Sequence, residues 1–334
     1  MTSTPQSRPH RVAGGADAPL GPQARAFLHG TAWKDAACEP LAGDASVRRY
    51  FRLRRDDTTA ILMDASQTLA SVPPFVQLAE HLRRLGLSAP EILERDEPGG
   101  CLLLEDFGDG GFARLLDEGR DPEPLYTLAT EVLIALHPQA QAVPGGMRAY
   151  HPQKMLEDIE LFLTWRTPGI AAAGQAEFRR VWGEVLPQAH QVPVSLLLRD
   201  YHVANLMLLP DRSGRRQAGL LDFQDAYQGP ITYDLMSLLE DARREVPEAI
   251  KEKMIARYLN HFPALDPSAF GTSMAILAAM RHTRVLAIFE RLSRHEGKHD
   301  YKRLHSPRVE RLLNRALRHP ILAGVKEWMD RHAQ

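Results

Sequence analysis

Cysteine is nearly absent, with 2 in 334 residues, Cys38 and Cys101, far apart in the chain. So few leave no disulfide framework to staple a secreted scaffold, and a reducing cytoplasm is the expected setting. Long apolar runs are also missing. None approaches the roughly 20 apolar residues a membrane span needs. The opening Met1–Gln23, rich in Ser, Thr, Pro, Gly and Ala, lacks the apolar core of a signal peptide and reads as a disordered tail. Excess charge of either sign is lacking too. Lys and Arg number 41 against 42 Asp and Glu, for a net charge of −1, so nucleic acid is not expected as a main ligand. What is present is ordinary globular material, 44% apolar, in a length that supports two lobes with separate cores. Small-molecule ligands fit this composition, with no membrane partner and a monomeric working form.

The most informative stretch runs from Leu196 to Asp234. Two short apolar runs, Ser195–Leu198 and Leu206–Leu209, flank the polar knot R-D-Y-H-V-A-N, and a third, Gly219–Leu221, ends on Asp222. These read as buried strands with acids and amides at their ends. An acid, an amide five residues on and a second acid after the next strand can converge at one mouth. Phosphoryl transfer needs such a set: a carboxylate to orient and deprotonate an acceptor hydroxyl, and two oxygen ligands for the Mg²⁺ that bridges nucleotide phosphates. Asp200, Asn205 and Asp222 fill those roles in order. The plainer alternative is that Asp200 and Asn205 bond their own backbone and Asp222 caps the next element.

The Asp-x4-Asn spacing, His202, Asp222 and the Gly229-Pro230…Asp234 stretch together resemble the aminoglycoside-phosphotransferase-like kinases. That resemblance implies an α+β, protein-kinase-like fold of two lobes, a small antiparallel-sheet lobe over 24–105 and a mainly helical lobe over 106–334. It implies ATP and Mg²⁺ as cofactors. Asp234 is then expected either to cap the next helix or to hold the backbone of the catalytic loop.

In the small lobe, Leu41–Leu53 reads as strand, tight turn, strand. The resemblance makes Gly43–Ser46 the candidate cover over the nucleotide phosphates, with Gly43 and Ser46 as contacts, although an ordinary hairpin turn has the same letters. Arg48 and Arg49 point to opposite faces, so at most one of them leans over a phosphate. On the third strand, Thr59–Asp64, the lysine expected to hold the α- and β-phosphates is absent and Met63 or a neighbour takes its place. An arginine of the preceding hairpin is one substitute for its charge. Phe75–Leu85 is an amphipathic helix stopped by Gly86. Its Glu80, without a lysine to pair, reads as a solvated acid. Strands follow near Glu91–Glu94 and Cys101–Glu105. The literal D-F-G at Asp106–Gly108 lies upstream of the catalytic loop, where no metal-binding Asp belongs. Its position suggests the inter-lobe hinge, with backbone near Glu105 and Phe107 bonding the adenine edge.

Further helices are read over Pro124–His137, Met155–Trp165, Phe270–Leu292, Val309–Leu317 and Ile321–Met329. His137 reads as a helix C-cap. Trp165 and Arg166 belong either to core packing or to an acceptor pocket. Asp225, just past Asp222, is placed to face acceptor or metal. In the long late helix, Arg281 interrupts the stripe Met274, Leu277, Val285, Ile288, Leu292. A buried guanidinium requires an anion, either an internal acid or a carboxylate or phosphate of the ligand.

Within the wider family the chain is most similar to the bacterial cell-wall-recycling sugar kinases, which phosphorylate the anomeric hydroxyl of N-acetylmuramate and N-acetylglucosamine. The blocks G-D-A-S-V-R-R-Y-F, L-L-L-E-D-F-G-D, R-D-Y-H-V-A-N-L-M and L-D-F-Q-D-A-Y-Q-G-P-I-T-Y-D-L carry that similarity. Arg199 replaces the glycine usual before the catalytic Asp, and Leu198 stands where a His is usual. Arg199, His202, Asp225, Arg281, Trp165 and Arg166 are the expected substrate contacts, since a lactyl carboxylate calls for cations where polycationic aminoglycosides call for acids. Two alternatives remain: a kinase of another small alcohol (aminoglycoside, homoserine or choline-like), and a catalytically silent nucleotide-binding regulator, which the missing lysine would suit.

Overall fold

The computed structural model describes residues 20–41 and 47–333. It divides into two compact units, one running through Glu80 and resuming over Ala89–Gly108, the other made of His81–Ser88 and everything from Asp109 onward.

The first unit is a five-stranded antiparallel sheet in the order β1-β2-β3-β5-β4, from Ala37–Pro40 (β1), Arg49–Arg55 (β2), Thr58–Asp64 (β3), Ile92–Asp96 (β4) and Cys101–Glu105 (β5). Alternation along β2 and β3 sends Phe51, Leu53, Ala60 and Leu62 to one face. There they meet Cys101 and Leu103 of β5 and Ala24 and Leu28 of the helix Pro22–His29 (α1) in one buried cluster. The β2–β3 turn is tight, with Arg55 paired to Thr58 and Asp56 in the left-handed region at φ 51°. The expected Leu41–Leu53 hairpin needs correction. Its first strand ends at Pro40, one residue before the expected start, with Leu41 adding only an N–H to Tyr50 O at 2.9 Å. Gly43 and Ser46 lie outside the described residues, as does most of the expected 1–23 tail.

The helix Val72–Arg84 (α2) buries Phe75, Leu78 and Leu82 as the spacing predicts, and Gly86 follows at φ 77°. Glu80 pairs with Arg95 at 3.2 Å, both side chains about half exposed, which fits a solvated acid.

The second unit is mainly helical. Phe112–Asp117 (α3), Pro122–Leu136 (α4), Pro152–Trp165 (α5) and Ala172–Val185 (α6) come before the polar knot. After it come Thr232–Leu239 (α7), Glu248–His261 (α8), Pro267–Glu296 (α9), His299–Ala316 (α10) and Ala323–His332 (α11). Asp266 caps α9, accepting from the N–H groups of Ser268 and Ala269, Pro267 opens it, and Gly297 ends it at φ 68°. His137 is the C-cap of α4, and its Nδ1 lies 2.5 Å from the Tyr258 hydroxyl. Two small antiparallel pairs sit among these helices. Val194–Leu197 (β6) pairs with Tyr227–Pro230 (β9), and Leu206–Leu208 (β7) with Ala218–Leu220 (β8). No helix among the described residues is long and apolar enough to cross a membrane.

Candidate active site

The three oxygen-bearing residues read from the sequence meet at one end of the β7–β8 hairpin. Leu206 faces Leu220 in the register, and the next bond outward runs from the Leu221 N–H to Asn205 O at 3.0 Å, so Asn205 and Asp222 leave the pair side by side. Asn205 also reaches back, its Nδ2 donating to Asp200 O at 2.9 Å. One amide thus ties both loops together. Among the described residues nothing donates to Asn205 Oδ1 or to the Asp200 carboxylate, and all three side chains are half-buried. The plainer alternative is met only in part: Asn205 does bond the backbone, but with its nitrogen, which leaves the oxygen for a cation. Asp222 accepts from Gln224 Nε2 at 2.9 Å.

Backbone strain marks the same place. Of the three described non-glycine residues with positive φ, two are Arg199 (72°), next to Asp200, and Asp222 (57°) itself. Such a conformation costs an L-residue about 1–2 kcal/mol, and functional sites are where it persists. Asp234 explains how Arg199 is held. It lies inside α7 rather than capping it, fully buried, and its two oxygens accept the N–H groups of Leu198 (2.6 Å) and Arg199 (2.9 Å). Of the two roles expected for Asp234, the backbone clamp is the one observed. Burial pushes its carboxyl up to about 7, against the lowering effect of those two N–H groups.

The Arg199 side chain is equally fixed. Its Nη2 sits 2.8 Å from Asp158 Oδ2, and its guanidinium lies 5.7 Å from the Tyr150 ring centroid and 5.3 Å from that of Tyr227. Asp158 also accepts from the Tyr150 hydroxyl (2.9 Å) and Lys154 Nζ (2.8 Å), with Arg284 Nε at 3.8 Å. Burial would raise its carboxyl, but Arg284, Lys154 and Arg199 outweigh burial and hold it below the ordinary value. Glycine, usual in the family at this position, is therefore not a neutral replacement. Arg199→Gly relieves about 1–2 kcal/mol of strain but breaks a buried ion pair, which costs about 3–5 kcal/mol. Lys154 and Arg284 still serve Asp158, so the lower figure applies and a net loss of about 1–2 kcal/mol is expected, read by urea unfolding. A gain in stability would contradict this balance.

The other expected contacts divide. His202 is buried, with Nδ1 lacking a hydrogen-bond partner, and burial lowers its pKa so that the imidazole is neutral. Asp225 is exposed beside Gln224 Nε2 at 3.4 Å. Trp165 packs edge-on against His295 at 6.2 Å, and Arg166 pairs with Glu290 (3.7 Å) and Glu310 (2.5 Å), so both serve the helical core rather than the loop around Asp200. In the sheet unit, Met63 is fully buried opposite Tyr50 and Leu102, and no cation stands at its position. Beside it, Arg49 faces Asp64 at the end of β3 with Nη2 2.5 Å from Oδ2. The Arg48 side chain is half-buried. The Glu105 N–H donates to Glu91 O at 2.8 Å, and Phe107 is half-buried beyond it. The Asp106 between them has a structural use: Arg52 grips it with Nε at 2.7 Å and Nη2 at 3.0 Å, and also bonds Gly108 O at 2.9 Å.

The sequence reading missed Asp158, Tyr150, Tyr233 and Arg284. A signal for Asp158 was present, since it interrupts the buried face Met155, Ile159, Phe162 just as Arg281 interrupts its own.

Among the described residues no three His, Cys, Asp or Glu side chains form a protein-only metal cage. One carboxylate and one amide oxygen at a shared loop end fit Mg²⁺ instead, which keeps waters and substrate phosphates in its shell.

A sheet unit, a helical unit and an Asp/Asn/Asp loop pair define a phosphotransferase, and comparison with known proteins agrees. Residues 37–268 match the model of the phosphotransferase enzyme family, APH, and the chain belongs to that family. Among curated relatives, the N-acetylmuramate/N-acetylglucosamine kinase of Caulobacter vibrioides is 34% identical over 92% of this chain and 95% of its own. The protein of that name from Pseudomonas aeruginosa is also 34% identical, over 86% of each chain. Among solved structures, a choline/ethanolamine kinase family protein from Mesorhizobium loti superposes with TM-score 0.61 at 17% identity, covering 92% of this chain and 98% of its own. A gentamicin complex of an APH(2")-IIa enzyme does so with TM-score 0.61 at 13% identity, covering 91% and 98%. The fold is thus the protein-kinase-like one of these enzymes, as the sequence implies.

Proposed function

We propose that the protein is an ATP-dependent sugar kinase, cytoplasmic and monomeric, that phosphorylates the anomeric hydroxyl of N-acetylmuramate and N-acetylglucosamine. The observation that carries the reading is the double engagement of Asn205, whose amide donates to the Asp200 carbonyl while its own carbonyl accepts the N–H of Leu221, the residue before Asp222. The names and coverage of the curated relatives support the acceptor. So does charge. Arg281 has no ion-pair partner among the described residues, an arrangement that suits an acid-bearing sugar and not a polycationic antibiotic.

Asp200 receives the hydrogen bond of the sugar C1 hydroxyl and turns its oxygen toward the γ-phosphorus of ATP. The new bond joins that oxygen to phosphorus while the bond from phosphorus to the β,γ-bridging oxygen breaks. The hydroxyl proton passes to the Asp200 carboxylate and then to solvent, and ADP departs. Asn205 and Asp222 would hold Mg²⁺, which offsets the phosphate charge when bound. Arg49, fixed by Asp64, takes the place of the absent strand lysine. Burial would raise Asp64, but Ser66 and Arg49 outweigh it and keep it ionised to hold that arginine.

An ADP-release assay with Mg²⁺ and a panel of acceptors tests the reading. Turnover is expected with the two N-acetylated amino sugars and not with kanamycin, homoserine or choline. Turnover confined to one of the latter would replace the acceptor assignment, and no Mg²⁺-dependent ATP consumption with any of them would favour the silent regulator.

A further inference from the structure

Arg281 sits near the middle of α9, 7% exposed, with Nη1 lacking a hydrogen-bond partner. No carboxylate among the described residues lies within ion-pair distance of it. Every other cation of the neighbourhood is engaged. Arg199 and Lys154 are each 2.8 Å from Asp158, and Arg284 is 3.8 Å from it. Arg166, tied to Glu290 and Glu310, serves a stretch of α9 roughly 13 Å further along the axis, at the 1.5 Å rise of a helix.

Two internal acids of the neighbourhood are taken, and Asp200, whose carboxylate accepts no protein donor among the described residues, makes no ion pair with Arg281. Asp234 is close enough to interact with it electrostatically, but each Asp234 oxygen already accepts a backbone N–H. Glu240 accepts from His282 at 2.7 Å and Arg315 at 2.5 Å. Around Arg281 stand further buried polar atoms without partners. Arg281 is in electrostatic reach of His202 and Tyr233, both of which also sense Asp200, and His202 Nδ1 and the Tyr233 hydroxyl have no hydrogen bond. Ser237 Oγ, one helical turn from Tyr233 on α7, is likewise unpartnered. A buried guanidinium with no anion in contact is a costly feature, and unsatisfied hydroxyls and an imidazole beside it raise that cost. An arriving anionic ligand removes both.

We propose that Arg281 is a specificity-determining residue that binds the lactyl carboxylate of N-acetylmuramate, the group N-acetylglucosamine lacks. This deepens the amino-sugar reading above and rests on it. Tyr233 and His202 line the same place and supply polar contacts to the ether-linked arm, while Asp200 faces the C1 hydroxyl. The contact is made to an unreacting part of the acceptor, so it acts on capture of the acid-bearing sugar more than on the transfer itself.

The test compares kcat/KM for the two sugars in the wild type, Arg281→Met and Arg281→Lys, together with the methyl ester of N-acetylmuramate as a substrate of the wild type. Losing a charged hydrogen-bond partner is expected to lower the N-acetylmuramate to N-acetylglucosamine ratio roughly 10- to 100-fold in Arg281→Met, mainly through KM. Arg281→Lys, which keeps the charge, recovers part of that ratio, and esterification imposes a comparable penalty on the unaltered protein. Equal losses on both sugars would overturn the inference and move Arg281 to the transferring phosphoryl group. An ester used as well as the acid would overturn it too, and that arm decides the matter even if Arg281→Met fails to fold. A wild type that phosphorylates neither sugar removes the amino-sugar reading itself, whereas one that uses both with a ratio unmoved in the variants removes this inference alone.

Discussion

Asp200→Asn is expected to lower kcat with either amino sugar by about 10³- to 10⁴-fold, the upper range for loss of a positioned general base, and to leave ATP affinity within about threefold. The reason lies in what Asp200 does and does not touch. Its backbone is fixed at both sides, the N–H on Leu198 O at 2.9 Å and the carbonyl under Asn205 Nδ2 at 2.9 Å. Its carboxylate accepts no protein donor among the described residues. The backbone bonds survive the change to an amide, so the loop and the position of Asn205 survive with them. Only the proton acceptor is lost. Single-turnover rates and equilibrium ATP titration separate the two quantities. Retained turnover would remove Asp200 from the role of base, and a parallel collapse of ATP affinity would mean the loop itself had moved.

Asp234→Asn is expected to lower kcat by about 100-fold without touching any substrate. The clamp needs two acceptors, and an amide offers one. Its NH₂ would confront a backbone N–H of Leu198 or Arg199, leaving a buried donor unpaired at a cost of about 1–3 kcal/mol. Arg199, at φ 72°, then has less to hold it in its strained conformation, and an error of about 1 Å in the neighbouring Asp200 suffices for a loss of that size. The same carboxyl sets a pH dependence in the wild type. With its folded pKa pushed up to about 7, well above the unfolded value of about 3.9, Asp234 takes up a proton as pH falls through 7 and gives up one of its two acceptor oxygens. kcat/KM is therefore expected to fall below about pH 7. Stability should move the other way in this window. A carboxyl whose folded pKa is raised stabilises the fold below its unfolded pKa and loses that contribution as pH rises through the folded value. Asp234 thus makes the protein less stable but more active as pH rises toward 8. Activity and Asp234-dependent stability that rise together across the window would contradict the clamp.

How far the sequence carried depends on the range over which each feature is encoded. The long helices were legible because their apolar faces repeat locally. Phe75, Leu78 and Leu82 on α2 are buried where periodicity puts them, and on the α9 stripe Leu277 and Leu292 are buried while Met274, Val285 and Ile288 pack partly buried against the same core. The pairing of Asn205 with Asp222 was legible because the β7–β8 hairpin forces residues just outside paired strands to emerge together. β9 was not. Nothing in its letters, Tyr-Gln-Gly-Pro, marks a strand, and it is one because β6, distant in sequence, pairs with it. α6 was passed over because its glycines and charges dilute the pattern, although Phe178, Val181, Trp182 and Val185 do share one buried face. The Arg199–Asp158 pair and the grip of Arg52 on Asp106 join residues far apart in the chain, and nothing local announces either. The two roles left open for Asp234 shared the same letters. Only the observed bonds to Leu198 and Arg199 separate them.

Transfer of a phosphoryl group from ATP to the C1 hydroxyl of an N-acetylated amino sugar, with Asp200, Asn205 and Asp222 as the proposed machinery, leaves a phosphate on the anomeric carbon. Proton-coupled ³¹P NMR of the product formed with MgATP and N-acetylmuramate tests it most directly. A phosphomonoester resonance coupled to the sugar's anomeric proton is the expected result, while a phosphate carried on any other carbon, or no sugar phosphate at all, would contradict it.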